Sequence, residues 1–173
     1  MRVVRVPVVS LFIMSEKTYI SEGVEPESHI GATLEALAAT IAQRQDAGEQ
    51  SYTYRLLAND QLLLSKLTEE AAEVVDAAQR VANAEANAEV NAEANAEVNA
   101  EAKAEGSTNQ QLDAELDHLR YEAGDVVYHL LVVLQRYGID LDEFAAELNS
   151  RMTAEELPEG ALLLKPQHIN RGK

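Results

Sequence analysis

Two short acidic motifs in this sequence have the residue types and spacing for metal-assisted chemistry. Glu70-Ala-Ala-Glu73 lies within KLTEEAAEVVDAA (66–78), and Glu122-Ala-Gly-Asp125 lies within YEAGDVVYHLL (121–131). Residues i and i+3 of an α-helix share a face, so each motif sets two carboxylates side by side. At about 100° per residue with Leu67 as reference, Leu63, Leu67, Ala71, Val74 and Ala78 form an apolar stripe. Glu70 falls about 60° from the reference, with Lys66 and Glu73 just beyond it, while Glu69 and Asp76 point nearly the opposite way. With Leu130 as reference, Leu112, Leu116, Leu119, Ala123, Val126, Leu134 and Tyr137 form a second stripe, and Glu122, His129 and Asp125 share one of its shoulders. Two such helices can bring four carboxylates together across a groove.

Assembling four acids carries a physical cost that calls for an explanation. Two carboxylates about 4 Å apart repel by about 4 kcal/mol at an effective dielectric near 20. Protons or cations must intervene, and hard oxygen ligands select magnesium or manganese over zinc. Such a site binds the metal, neutralises a phosphoanhydride and positions a water for attack. The competing reading is plain solvation: most helical glutamates are surface groups, and a single Glu-x-x-Glu carries little information. Two pairs on the two longest helices carry more. Taken alone, His129 reads as a structural histidine, Lys66 as an i, i+4 partner of Glu70, and the Tyr52 and Tyr54 rings as packing groups.

The elements that must position these acids are helical. The chain has 173 residues, 46% hydrophobic, with few aromatics and no tryptophan, a composition suited to one domain of packed helices. A helix is predicted from about Thr33, as N-cap, to Asp46-Ala47-Gly48, and one or two turns over Ser51–Leu57. A strong helix follows from about Gln61 to Ala82, a long one from about Gln110 to Tyr137 ending at Gly138, and a last one over Leu141–Met152 capped by Asp140 with Glu143 three residues on. No cysteine is present, which excludes disulfides, thiolate catalysis and cysteine-ligated metal sites. The net charge of -16 argues against nucleic acid or an anionic membrane as partner. No apolar run is long enough to span a bilayer, and a cytoplasmic location is expected.

Residues 83–105 repeat the tetrapeptide Asn-Ala-Glu-Ala/Val. Without large apolar residues it cannot bury a core, and its i, i+4 glutamates repel, so it reads as an inserted connector, part frayed helix and part disorder. The expected organisation is a flexible tail over 1–30, starting at Met1 or Met14, a helical domain over 31–153 with a low-complexity insert at 83–108, and an irregular tail over 154–173.

Four stretches together carry a family resemblance: TLEALAATIAQRQ (33–45), SYTYRLL (51–57), KLTEEAAEVVDAA (66–78) and YEAGDVVYHLLVVLQRYGIDLDE (121–143). In that order they resemble the phosphoribosyl-ATP pyrophosphohydrolases of histidine biosynthesis, relatives of the MazG-type nucleotide pyrophosphohydrolases. The resemblance implies an all-α, MazG-like bundle of four to five helices and a likeness to a cytoplasmic homodimer. It implies magnesium-dependent hydrolysis of phosphoribosyl-ATP to phosphoribosyl-AMP and pyrophosphate, the second step of that pathway. Glu70, Glu73, Glu122 and Asp125 match the catalytic metal-binding acids, and Arg44, Tyr52, Arg55 and Lys66 match positions near the substrate. The repeat between the two acidic motifs and Gly124 inside the second one depart from the pattern. Two alternatives stand beside this reading: a house-cleaning enzyme that cleaves non-standard nucleoside triphosphates, and a non-catalytic helical assembly protein whose repeat is an interaction tract.

Overall fold

A computed structural model describes residues 30–98 and 103–169, with side chains over 30–90 and 110–168. The tail expected over 1–30 lies, apart from Ile30, outside the described residues. Among the described residues there is no strand, in agreement with the all-α expectation. Helix α1 spans Ile30–Gln43 and tightens into a 3-10 turn over Arg44–Asp46. Helix α2 spans Tyr52–Leu57, α3 Asp60–Val98, α4 Lys103–Arg136, α5 Leu141–Asn149 and α6 Pro166–Ile169. No helix among them is long and apolar enough to cross a membrane.

Local chemistry sets most boundaries. Ser51 has extended backbone, and its hydroxyl accepts the Tyr54 N–H at 3.3 Å, capping α2. Asn59 accepts the Leu62 N–H at the start of α3, and Asp140 accepts the Glu143 N–H at the start of α5. At the end of α4 the Gly138 N–H bonds Gln135 O and the Ile139 N–H bonds Leu134 O. That is the helix-ending pattern that requires a left-handed residue, and Gly138 supplies it at φ 68°. Thr33 is not the cap predicted for α1; the helix begins at Ile30 and Thr33 lies exposed inside it. Helix α5 stops at Asn149 rather than Met152: the Arg151 and Met152 N–H groups bond Leu148 O and Asn149 O in three-residue turns, and the Asn149 amide donates to the Leu162 carbonyl at 2.8 Å, tying the C-terminal segment back. The tail expected to be irregular does hold one short helix, α6.

The dominant packing is between α3 and α4. Asp60 pairs with Arg136 near one end and Arg80 with Glu115 farther along, so the two helices run antiparallel. At their base, Leu63 of α3 and Val132 of α4 are fully buried with Ile41 of α1 and Leu56 of α2. Each such side chain contributes about 1.5–3 kcal/mol by leaving water.

One expectation about this hairpin is met in its helical part, and another is corrected. The repeat is helical on both flanks, through Val98 and again from Lys103, with only residues 99–102 outside the described segments. A helix already nucleated by a packed base extends without a new nucleation cost, and alanine is the best propagator; here Val81 and Ala84 are also buried. The buried stripe of α3 is Leu63, Glu70, Ala77, Val81 and Ala84, whereas Ala71 and Ala78 are exposed. Half-buried Leu67 and Val74 complete an alternation of four- and three-residue steps, the 3.5-residue seam of supercoiled helices. On α4, likewise, Ala123 and Tyr137 are exposed while Glu122 and His129 are buried.

Candidate active site

The seam between α3 and α4 places acids where leucines usually pack. Glu70 is 5% exposed, Glu122 6% and His129 3%, whereas Glu73 projects outward from the same groove. Glu70 and Glu122 therefore lie in the interface itself rather than on its shoulder. One carboxylate oxygen from each of Glu70, Glu73 and Glu122 lies within 4.8 Å of the other two. Asp125, half-buried, stands outside that group of three. A three-residue step turns about 60° away along a helix, so with Glu122 in the seam Asp125 is directed to its flank. There its charge, together with burial and Glu122, raises the pKa of the Tyr121 phenol.

Charge compensation within the group is uneven. The Lys66 ammonium contacts both Glu69 and Glu70 at 2.9 Å, and these bonds hold its pKa well above the ordinary lysine value. Burial pushes the Glu70 carboxyl up, but the bond and charge of Lys66, with help from His129 and Glu73, outweigh it and leave Glu70 more acidic than usual. Glu73 is shifted the other way: desolvation, the Glu122 charge and bonds to both neighbours raise its pKa. Glu122 Oε2 is buried and has no hydrogen-bond partner. An orphaned carboxylate oxygen beside a carboxyl that resists ionisation is an arrangement that a cation would relieve. A purely oxygen donor set fits magnesium or manganese. The residues present fit such an ion.

Helix α2 closes one side of the site through two hydrogen-bond chains. The Asp125 carbonyl can only accept, so His129 Nδ1–H donates to it at 2.9 Å, and in the neutral ring Nε2 accepts the Tyr52 hydroxyl at 3.1 Å. His129 Nδ1 also lies 4.0 Å from Glu70 Oε1, a purely electrostatic contact because its proton is committed elsewhere. In the second chain the Arg44 guanidinium donates to Thr53 Oγ1 at 3.4 Å, and Thr53 Oγ1 is 2.9 Å from the Tyr128 hydroxyl. Arg55 lies 5.7 Å from the centre of the Tyr52 ring. Of the substrate-side candidates, Lys66 thus touches the acid group directly, Tyr52 reaches it through His129, Arg55 lies over Tyr52, and Arg44 bonds the second chain. An open groove of about 490 Å³ lined by Glu49, Tyr54, Arg55 and Asn59 adjoins Arg55 rather than the acids.

Sequence reasoning missed Thr53, Tyr128, His118 and Arg80. His118 Nδ1 lies 3.4 Å from Glu122 Oε1, and Arg80 bonds the far side of the His118 ring at 2.7 Å. The i, i+4 spacing of His118 and Glu122 was a usable signal; the Arg80 partnership depends on the register between two helices.

Comparison with known proteins points the same way as the geometry. The profile of the family described as phosphoribosyl-ATP pyrophosphohydrolase matches residues 34–152. A Rhizobium johnstonii protein named phosphoribosyl-ATP pyrophosphatase is 34% identical over 133 residues, covering 76% of this chain and 94% of its own length. A Rhizobium etli protein of the same name is 35% identical over 133 residues, with the same shares of the two chains, 76% and 94%. One from Halobacterium salinarum is 30% identical over 113 residues, 63% of this chain and 84% of its own. No solved structure matches significantly. On the breadth of these matches, this chain belongs to the phosphoribosyl-ATP pyrophosphohydrolase family.

Proposed function

We propose that this chain hydrolyses phosphoribosyl-ATP at the α–β phosphoanhydride, as the second step of histidine biosynthesis. Water adds across the anhydride, one bridging P–O bond breaks, and phosphoribosyl-AMP and pyrophosphate leave. The observation that carries the reading is the convergence of Glu70, Glu73 and Glu122 in a helical seam, with one buried oxygen unpartnered. Glu70, Glu73 and Glu122 would hold magnesium, and Asp125, one turn along α4, would complete the set from the flank. Magnesium, when bound, neutralises the phosphate charge and acidifies a coordinated water.

The chain's own residues do the rest. Lys66 keeps Glu70 ionised and so ready to act as a ligand. The seam excludes water from Glu70 and Glu122, which strengthens every electrostatic interaction there. His129 fixes the Tyr52 hydroxyl and leaves the Tyr52 ring with Arg55 as a platform of opposite character to the acids, suited to the base or phosphates of the substrate. In this reading Arg44, which donates to Thr53 Oγ1, would meet substrate phosphate from the α1 side. A homodimer working in the cytoplasm belongs to the same proposal; exposed Val75 and Tyr121, 64% and 69% accessible, offer apolar surface on the site-bearing helices for a second copy.

The test compares pyrophosphate release from phosphoribosyl-ATP with release from a panel of deoxynucleoside triphosphates, all with magnesium. Faster turnover of phosphoribosyl-ATP supports the assignment. A preference for the deoxynucleotides replaces it with the house-cleaning activity, and no release by a folded chain removes catalysis altogether.

A further inference from the structure

One side-chain chain beside the acid group has no part in the reading above. On α4, Glu115, His118 and Glu122 follow one another at steps of three and four residues, so they line one face of the helix. Arg80 reaches them from α3. Its Nε lies 3.7 Å from Glu115 Oε2, and its Nη2 lies 2.7 Å from His118 Nε2. A guanidinium has only donors, so His118 Nε2 must accept, and the neutral ring carries its proton on Nδ1. That nitrogen faces Glu122 Oε1 at 3.4 Å. The other oxygen of the same carboxylate, Oε2, is the buried one without a partner.

We infer that Arg80 and His118 are positioning residues for the metal site: Arg80 fixes the ring of His118, and His118 holds Oε1 of Glu122 so that Oε2 is presented to the cation. This inference rests on the proposed metal-binding role of the acid group. The two ends of the group are treated differently, and the difference has a physical reason. At Glu70 the Lys66 ammonium touches the carboxylate directly and supplies a full positive charge. At Glu122 an imidazole stands between the carboxylate and the Arg80 guanidinium, so orientation is transmitted while the negative charge is left for the metal. A guanidinium in direct contact would grip both oxygens of Glu122 and compete with the ion for them. Groups that hold metal ligands from behind in this way commonly change metal affinity by about 10–100-fold when removed. Glu115 anchors Arg80 from its other side, which keeps the guanidinium on the histidine although half of its surface faces solvent.

The experiment titrates manganese alone into the full chain by calorimetry, for the wild type and for His118→Phe, His118→Asn, Arg80→Met and Arg80→Lys. Helical content and melting in the presence of a chelator are followed alongside. Phenylalanine fills the ring volume without a donor; asparagine restores an N–H near the place of Nδ1. His118→Phe and Arg80→Met should weaken manganese binding by about 10–100-fold at unchanged helicity. His118→Asn and Arg80→Lys should recover most of that loss, which a merely structural role would not produce. Wild-type affinity in both His118→Phe and Arg80→Met overturns the inference, as does an equal loss in His118→Phe and His118→Asn. Should His118→Phe fail to fold, the two arginine variants carry the test, because Arg80 is half-exposed. A wild-type chain that takes up no manganese overturns this inference and the metal reading together, whereas uptake indifferent to all four variants overturns this inference alone.

Discussion

Replacing Glu122 by glutamine should make the metal-free protein more stable while destroying its response to magnesium. Glu70 and Glu122 are both buried, and their nearest ligand oxygens lie within 4.8 Å. Two like charges at that separation repel by about 3.5 kcal/mol at an effective dielectric near 20. Lys66 offsets part of this by its contact with Glu70, and the His118 contact to Oε1 survives in glutamine, whose carbonyl still accepts. A net gain of about 1–2 kcal/mol remains, which for a chain of this size raises the melting temperature by about 2–8 °C. The assay is thermal unfolding by circular dichroism with a chelator and again with excess magnesium. The wild type should gain on adding magnesium, by about 2.7 kcal/mol at a hundredfold excess over its dissociation constant. Glu122→Gln should start higher and gain little. A variant that melts at or below the wild type in chelator, or that keeps the full magnesium response, would refute the view that these acids are held together at the expense of stability for an ion.

Asp125→Ala should abolish pyrophosphate release while leaving far-UV helicity intact, because Asp125 lies on the flank of the seam and its backbone carbonyl still receives His129. Gly138→Ala should lower stability by about 1–2 kcal/mol in urea unfolding, since φ is 68° there and a Cβ would meet no neighbour that could add to or relieve that strain. The raised pKa of Glu73 means that the metal-free fold retains a proton which the unfolded chain gives up near the ordinary value of 4.5. The contribution of Glu73 to stability therefore falls as pH rises above that value, so Glu73→Gln should flatten the decline seen by urea unfolding in chelator on the alkaline side of it. A variant slope equal to the wild-type slope would show that the decline arises elsewhere.

The acid motifs were legible because i, i+3 spacing survives any detail of packing: Glu70 with Glu73, and Glu122 with Asp125, share a helix side wherever that side faces. Asp140 with Glu143 and the glycines at 48 and 138 were legible for a similar reason, being local chemistry of helix ends. The rotation of the seam was not. A periodicity that scores alanine as apolar and glutamate as polar draws the buried face toward Ala71 and Ala78, whereas the packed hairpin follows the 3.5-residue steps through Leu63, Leu67, Glu70 and Val74. The same displacement hid the separation of Asp125 from the other three acids. Composition alone left residues 83–98 between frayed helix and disorder, since it ignores that they continue a helix already fixed at Leu63 and Ala77. The Arg80–His118 contact needs the register between α3 and α4, which neither helix specifies by itself.

Anomalous diffraction from crystals grown with manganese tests the shared cation most directly. The expected result is a metal peak bounded by Glu70, Glu73 and Glu122, with Oε2 of Glu122 as a ligand. Manganese bound only elsewhere, or an acid group whose carboxylates turn apart toward separate patches of solvent, would contradict it.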